Sequence, residues 1–316
     1  MLRELRPDDV DPFYGLLLRC FPEEDRLFGF RSDPYRRVAR RLLRWDLQFV
    51  LRWFDLLRRP IVKVLGIEAD GTLAAAVILS FPPRAGFVSS LMVDAPYRRR
   101  GYARTLLERC RAEALRARRR YLALDVLSTN APALALYAGL GFRPLRRQAY
   151  YLRGAGPVPA AGDGRGGEVR PFVRRDSAAL VPIAAAELAS EVAEVLPVTR
   201  GQFVQGEGGP PGFRSTSRAW VVDRGAGPVG FVRATVSATT EAANLTSPIL
   251  APSVPPAAGR ALVATALGWI AERSGGRVVT MAAHDARSTV LALSEVGFHE
   301  AFSVETLYAP LVAPAA

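Results

Sequence analysis

The residues with the clearest chemical meaning lie in the run LMVDAPYRRRGYARTLL, from Leu91 to Leu107. A β-rich stretch ends at Val93, Pro96 enforces a turn, and Arg98, Arg99 and Arg100 follow. Gly101 then opens a helix whose apolar face is Ala103, Leu106, Leu107, Cys110 and Ala114. Strand, glycine turn and helix N-terminus in that order make an anion site. Free backbone N–H groups and the positive end of the helix dipole converge there, and Gly101 and Ala103 lack the bulk that would hold a phosphate away. Arginine suits such a ligand through its planar, permanently charged donor fork. The spacing is neither the dinucleotide fingerprint GxGxxG nor the Walker loop, because the paired glycines and the lysine are absent. Other charges on this helix ask for no ligand. Arg116, Arg118, Arg119 and Arg120 sit where the dipole favours cations, and Glu108 and Glu113 stand four residues from Arg104 and Arg109, as on a solvated helix face.

The pattern Arg98-x-x-Gly101-x-Ala103 after Val93-Asp94-Ala95-Pro96 resembles the acyl-CoA pyrophosphate-binding motif of the GNAT superfamily of N-acetyltransferases. A second family motif follows at the matching distance, in Asn130-Ala-Pro-Ala-Leu-Ala-Leu-Tyr137-Ala-Gly-Leu140-Gly141-Phe142. Residues 87–151 carry the resemblance. It implies an α/β fold, with a mixed, mostly antiparallel sheet flanked by helices, and acetyl-CoA as co-substrate with no metal. The cofactor contacts it implies fall on Leu91, Met92, Val93, Arg98, Arg99, Arg100, Gly101, Tyr102, Ala103, Arg104, Asn130 and Tyr137.

Acyl transfer from a thioester to an amine needs a neutral amine, a clamp on the developing oxyanion and a proton for the departing thiolate. By the resemblance, the clamp is a backbone N–H at about Val93 and the acid is Tyr137, although a tyrosine three residues after Leu134 can also simply pack. Both histidines, His284 and His299, lie in the second half of the chain. The base candidate is therefore Asp125, in the apolar strand Leu122–Leu127, where alternation sets it on one face with Tyr121, Ala123 and Leu127. A carboxylate in such a strand is paired, exposed in a cleft, or functional. In the ribosomal-protein N-terminal acetyltransferase branch a catalytic Glu stands five residues before the motif Asn, as Asp125 stands before Asn130. The shorter aspartate leaves direct abstraction and a water relay both open, and an arginine-paired structural carboxylate is the competing reading. Tyr150 and Tyr151 are expected to line the acceptor cleft or a sheet face.

These residues need a scaffold, and the length and composition bound it. The chain has 316 residues, 49% apolar and 23% charged, enough for two packed cores and incompatible with a disordered or collagen-like class. Arg153–Gly167 is dense in Gly, Pro and Ala and reads as a linker. The expected organisation is a catalytic domain at 1–153, a linker at 154–167 and a second, degenerate GNAT-like domain at 168–316. Before the linker, strands are expected at 2–6, 61–68, 73–81, 86–93 and 121–127, with a strand pair near 143–152. Helices are expected at 9–20, 34–57, 102–117 and 131–140. After it the order restarts: Val169-Arg170-Pro171 precedes Arg175-Asp176 as Leu2-Arg3-Glu4 precedes Asp8-Asp9, a strand–turn–strand spans 219–235, and Val296-Gly297-Phe298 echoes Leu140-Gly141-Phe142. At the second cradle Gly259-Arg260-Ala261 matches Gly101-Tyr102-Ala103, but Pro256, Ala257 and Ala258 replace the arginines, Ala286 replaces Asn130 and Leu293 replaces Tyr137. A copy so altered is expected to shape the acceptor pocket or a dimer interface, so a homodimer is among the arrangements considered.

Charge follows the same division. Residues 1–153 hold 29 Lys and Arg against 16 Asp and Glu, whereas residues 154–316 hold 13 against 14. The basic half suits a phosphorylated cofactor. Two other classes compete with an acetyltransferase: a non-catalytic acyl-CoA sensor and a basic nucleic-acid-binding module, the latter without a recognition motif. No nucleic-acid partner is expected. The expected acceptor is a primary amine on a small molecule or a peptide N-terminus. Cys20 and Cys110 form no CxxC or Cys/His cluster, the start has no secretory h-region, and no apolar run approaches a membrane span, so a cytoplasmic protein is expected. The run LLRWDLQFVLRWFDLLRR, 42–59, falls where the resemblance implies helices over the acceptor cleft; burial against the neighbouring domain or a second chain is expected, with an amphipathic membrane-surface helix as the alternative and no stable membrane insertion.

Overall fold

The computed structural model describes residues 1–31, 36, 62–160, 167–204 and 215–311, so the segment 42–59 lies outside the described residues. The first half runs β1 (Leu2–Glu4), α1 (Val10–Cys20), α2 (Pro22–Phe28), β2 (Val62–Ala69), β3 (Thr72–Ser80), β4 (Ala85–Val93), α3 (Tyr102–Arg116), β5 (Tyr121–Leu127), α4 (Ala131–Ala138) and β6 (Arg143–Arg153). The second continues with β7 (Glu168–Pro171), α5 (Ser177–Ala186), α6 (Ser190–Val195), α7 (Gly201–Val204), β8 (Ser215–Asp223), β9 (Pro228–Ser237), β10 (Ala243–Leu245) and β11 (Ile249–Leu250). It ends with α8 (Pro256–Ala271), β12 (Val278–Ala283), α9 (Arg287–Glu295) and β13 (His299–Pro310). The β2–β3 turn is where the sequence puts it: Asp70 and Gly71 both take positive φ, 52° and 71°, as a tight hairpin of this hand requires.

One continuous sheet joins the two halves, in the order β1-β2-β3-β4-β5-β13-β6-β12-β10-β9-β8-β7, with β11 beside β9. Pairing is antiparallel except at β4–β5 and β10–β12. The order reads almost identically from either end, with one exchange at its centre. The last strand of the chain, β13, lies between β5 and β6, while β6 lies between β13 and β12. Each half thus ends in a strand that pairs with the β5-type strand of the other. The expected strand pair near 143–152 is instead this single strand of 11 residues. Its two edges are satisfied by β12 and β13, partners that lie far along the chain.

Helices complete a three-layer arrangement. On one face, α3 packs Leu106, Leu107, Cys110 and Ala114 against β2–β5 and against Leu307 and Ala309 of β13. On the other, α1 covers Leu73, Ala76 and Met92. The short helices cross over: Val195 of α6 packs on Ala85, Ala123 and Tyr308, whereas Leu27 of α2 packs on Ala242 and Val279. The repeat seen in the sequence has a matching ion pair. Arg3 grips Asp9 at 2.6 and 2.7 Å and Arg170 grips Asp176 at 2.8 and 3.0 Å, each carboxylate also capping a backbone N–H, that of Arg6 or Val173. The arginine guanidinium beside Asp9 holds that carboxyl below its ordinary range.

One charge departs from its expected setting. Glu113 is 1% exposed and accepts from Lys63 Nζ of β2 at 2.9 Å, with Arg109 at 2.7 Å and Arg116 at 3.2 Å around it. The i, i+4 spacing from Arg109 is correctly read, but the tertiary approach of β2 turns that face inward. Replacing Glu113 by Ala leaves a buried ammonium without its main partner, so the full chain should lose about 3 kcal/mol of stability, read as a lowered urea midpoint at unchanged m-value.

Candidate active site

The site begins where two strands part. β4 pairs with β5 only from Ala85 opposite Tyr121 to Val88 opposite Leu124. On its other edge, β4 slips register between Leu79–Val88 and Ile78–Ser90, which leaves Ser89 as a bulge. A bulge bends its strand and ends regular pairing, and beyond it the edge Ser89–Val93 faces Asp125–Leu127 across a cleft of about 1110 Å³. The Asp94 N–H donates to Ala74 of β3 at 2.9 Å. Alternation along the strand therefore turns the Val93 amide and carbonyl to the open side, where the carbonyl accepts from Arg98 Nε at 3.2 Å and Cys20 Sγ at 3.7 Å.

At one end of the cleft the turn before α3 makes the anion cradle. Arg99 and Gly101 both have left-handed backbone, φ 65° and 83°. A non-glycine residue in that region is uncommon and strained. At Gly101 a Cβ would meet nothing within 4 Å, so the space over the first turn of α3 is open and the glycine is required by its φ. Arg98, Arg99, Gly101, Tyr102, Ala103 and Arg104 line the cleft. Two of the expected contacts stand elsewhere: Arg100 lies over the Tyr97 ring at 5.2 Å, and Met92 points to the opposite face beneath α1. Asp94 ties the turn down, accepting from Arg19 of α1 at 2.7 Å and from the Ala95 N–H at 2.9 Å. An open, glycine-lined helix N-terminus flanked by exposed arginines fits a pyrophosphate, and the free β4 edge fits an extended amide-bearing arm.

The two proton-transfer candidates lie on opposite faces of the sheet. Tyr137 belongs with α3 and α4, packed against Phe142 at a ring distance of 5.7 Å, and its hydroxyl has no hydrogen-bond partner among the described residues. Burial pushes its phenol up to about 12. Asn130, which leads α4, accepts from the Ala133 N–H at 3.2 Å as an N-cap and also borders the cleft. Asp125 faces the α1–α2 side, where burial raises its carboxyl and a hydrogen bond from Thr306 opposes that shift. Tyr150 lines the cleft on the same side, its phenol pushed up to about 12 by burial, while Tyr151 is buried in the core on the other face.

Several lining residues escaped the sequence reading. Cys20, Glu24, Phe28 and Phe30 come from α1, α2 and the segment after it, and Val304 comes from β13. Phe302 packs on Tyr150 at 4.9 Å and Phe28 meets the same ring edge-on at 5.8 Å. The run Phe21-Pro22-Glu23-Glu24 carries a helix-start signal that could have drawn attention to α2, but nothing local announces β13. His284 contacts Ser303 at 3.2 Å on the exposed surface, and neither it nor His299 borders the cleft. Among the described residues no group of His, Cys, Asp and Glu is placed to hold a metal ion, and no helix is long and apolar enough to cross a membrane.

The corresponding place in the second half is built differently. The helix there starts at Pro256, which supplies no N–H, and Gly259 lies within it rather than before it. A Cβ on Gly259 would meet Leu250 at 2.8 Å and Ala292 of α9 at 3.2 Å, so this glycine packs one turn inside the helix against the core and is not the positional counterpart of Gly101. Ala286 occupies the position of Asn130 at the head of α9 and makes no side-chain cap.

With this geometry in view, relatives can be compared. The sequence pattern of the Acetyltransferase (GNAT) family matches residues 13–142. An N-alpha-acetyltransferase of Saccharolobus solfataricus is 29% identical over 158 residues, covering 48% of this chain and 86% of that protein. The fold is similar over 100% of the chain to a GCN5-related N-acetyltransferase from Sphaerobacter thermophilus, with TM-score 0.70, 16% identity and 96% of that chain covered. It is also similar over 100% of its length to a tandem GNAT protein from the clavulanic acid biosynthesis pathway, with TM-score 0.64, 17% identity and 99% of that chain covered. The chain is thus an N-acetyltransferase that carries an acetyltransferase domain of the GNAT family over residues 13–142.

Proposed function

We propose that the chain moves an acetyl group from acetyl-CoA to a primary amine by direct attack in a ternary complex, with no acyl-enzyme. The observation that carries this reading is the β4–β5 gap, which has a left-handed Arg99–Gly101 turn at one end and a phenol and a carboxylate on its two faces. Acetyl-CoA supplies an activated thioester. Arg98, Arg99 and Arg104 with the N–H groups around Gly101 would hold its pyrophosphate, and the Val93 N–H, turned to the open side, would stabilise an oxyanion. Tyr137 keeps its proton at neutral pH and can give it to a leaving thiolate. Asp125, on the face with Glu24, Phe28 and Tyr150, accepts a proton from the amine directly or through water. The relationship to an N-alpha-acetyltransferase supports a peptide α-amine among the acceptors, and the carboxylates and aromatic rings at that end suit a cationic amine with an apolar neighbour.

In this reading 1–153 binds the cofactor and 168–316 is a copy that has lost its cradle, joined through 154–167. The second copy then serves the first, through β13 and α6.

Tyr137→Phe should lower kcat at least tenfold while the Kd for CoA measured by calorimetry changes less than twofold. An acyl-CoA sensor would show no turnover to lose, so thiol release with a panel of amines and peptides decides between the classes. Gly101→Val, which forces a β-branched residue into left-handed backbone over the open cradle, should weaken CoA binding at least tenfold. Undiminished CoA affinity in that variant would exclude the cradle as the pyrophosphate site.

A further inference from the structure

Asp125 does not stand alone on its face. Thr306 Oγ1 donates to Asp125 Oδ1 at 2.6 Å, and Gln148 Nε2 donates to Thr306 Oγ1 at 3.0 Å. Asp125, Thr306 and Arg146 face one another across three neighbouring strands, β5, β13 and β6, and Gln148 lies two residues along β6 from Arg146. Thr306 is fully buried and Gln148 is 4% exposed. Two polar side chains buried in the middle of a sheet destabilise it unless each is satisfied, and here each satisfies the next. A threonine hydroxyl has one proton. With the Gln148 amide on its lone pair, that proton goes to Asp125, at the length of a hydrogen bond to a charged acceptor. Oδ1 is thereby fixed, and Oδ2 has no hydrogen-bond partner among the described residues on the wall of the cleft.

We propose that Thr306, backed by Gln148, is a positioning residue for Asp125, so that the last strand of the chain completes the active site of the first half. The inference rests on the reading of Asp125 as the base. Thr306 holds the carboxylate by one oxygen and leaves the other to accept the proton. Of the charged and titratable groups here, Arg146 and Tyr150 of β6 interact with Asp125, Glu24 of α2 interacts with Tyr150, and Asp285 interacts with Arg146. Thr306 is an uncharged donor among them, and it is aimed at the carboxylate.

The test uses the full chain. The Asp125 carboxyl is titrated by ¹³C NMR, and kcat/KM is followed against pH with acetyl-CoA and a short peptide bearing a free α-amine. A hydrogen bond to the ionised form lowers a carboxyl pKa, so its loss raises it. Thr306→Val should therefore move the Asp125 titration upward by about one unit and shift the acid limb of kcat/KM by the same amount. Affinity for CoA should stay within twofold, and Thr306→Ser should restore both curves. Should Thr306→Val fold poorly, Gln148→Leu tests the same relay from its far end with an upward shift. A carboxyl titration unchanged in the folded variants overturns the inference, whatever the peptide shows. Unchanged turnover in Asp125→Asn overturns instead the reading of Asp125 as the base, and the NMR titration separates the two failures because it needs no acceptor.

Discussion

The antiparallel pair formed by Arg143–Arg153 and His299–Pro310 is the contact on which the rest of the molecule depends, because each strand belongs by sequence to one half and by hydrogen bonding to both. Strand edges left unpaired within a core are costly, since every exposed N–H and C=O needs a partner. Exchanging the terminal strands removes those edges in both halves at once and makes a single sheet of them. It also couples their stabilities: β5 has no outer partner without β13, and β12 has none without β6. The crossed helices α2 and α6 reinforce this arrangement from the same face, each covering strands of the opposite half.

The same exchange explains why the cleft is polarised. At the α3 end, the wall comes from one continuous segment, 98–104, and carries Arg98, Arg99 and Arg104. At the α2 end, side chains converge from α1, α2, β5, β6 and β13, bringing Glu24, Asp125 and Tyr150 among phenylalanines. The gap thus runs from an arginine-bearing end to one that carries carboxylates. The bulge at Ser89 is the hinge of this design, for it ends the β4–β5 pairing in time to leave one strand edge free.

Duplication has left each half with the same Arg–Asp clasp near its first strand but with different fates for the helix that follows the parting strands. In the first half Gly101 precedes the helix and the space above it is open. In the second, Pro256 begins it, and Leu250 and Ala292 close over Gly259. The lopsided charge of the chain runs with this difference: the half in which Gly101 precedes its helix carries the cationic excess, and the half in which Pro256 begins it is near neutral.

Much of this was legible without coordinates. The alternation of 72–80, the apolar stripe of 102–116, the glycine before it and the Asn130–Phe142 run are local signals, and each sets its own backbone and face by short-range sterics and hydrogen bonding. They suffice for the strands, the cradle helix and the faces on which Asp125 and Tyr137 stand. Local signals failed where an environment is assembled from distant parts. Glu113 reads as a solvated i, i+4 partner of Arg109 until β2 brings Lys63 against it, and 143–152 reads as a strand pair until β13 and β12 claim the edges of a single strand. Thr306 carries no mark in the sequence at all, because its significance is a hydrogen bond to a residue 181 positions earlier. Local pattern was enough for the elements, for the glycine turn ahead of α3 and for the residue types that stand at Asp125 and Tyr137. Which strand lies beside Asp125 is fixed by folding, since β pairing is set by long-range register and burial that no local pattern encodes.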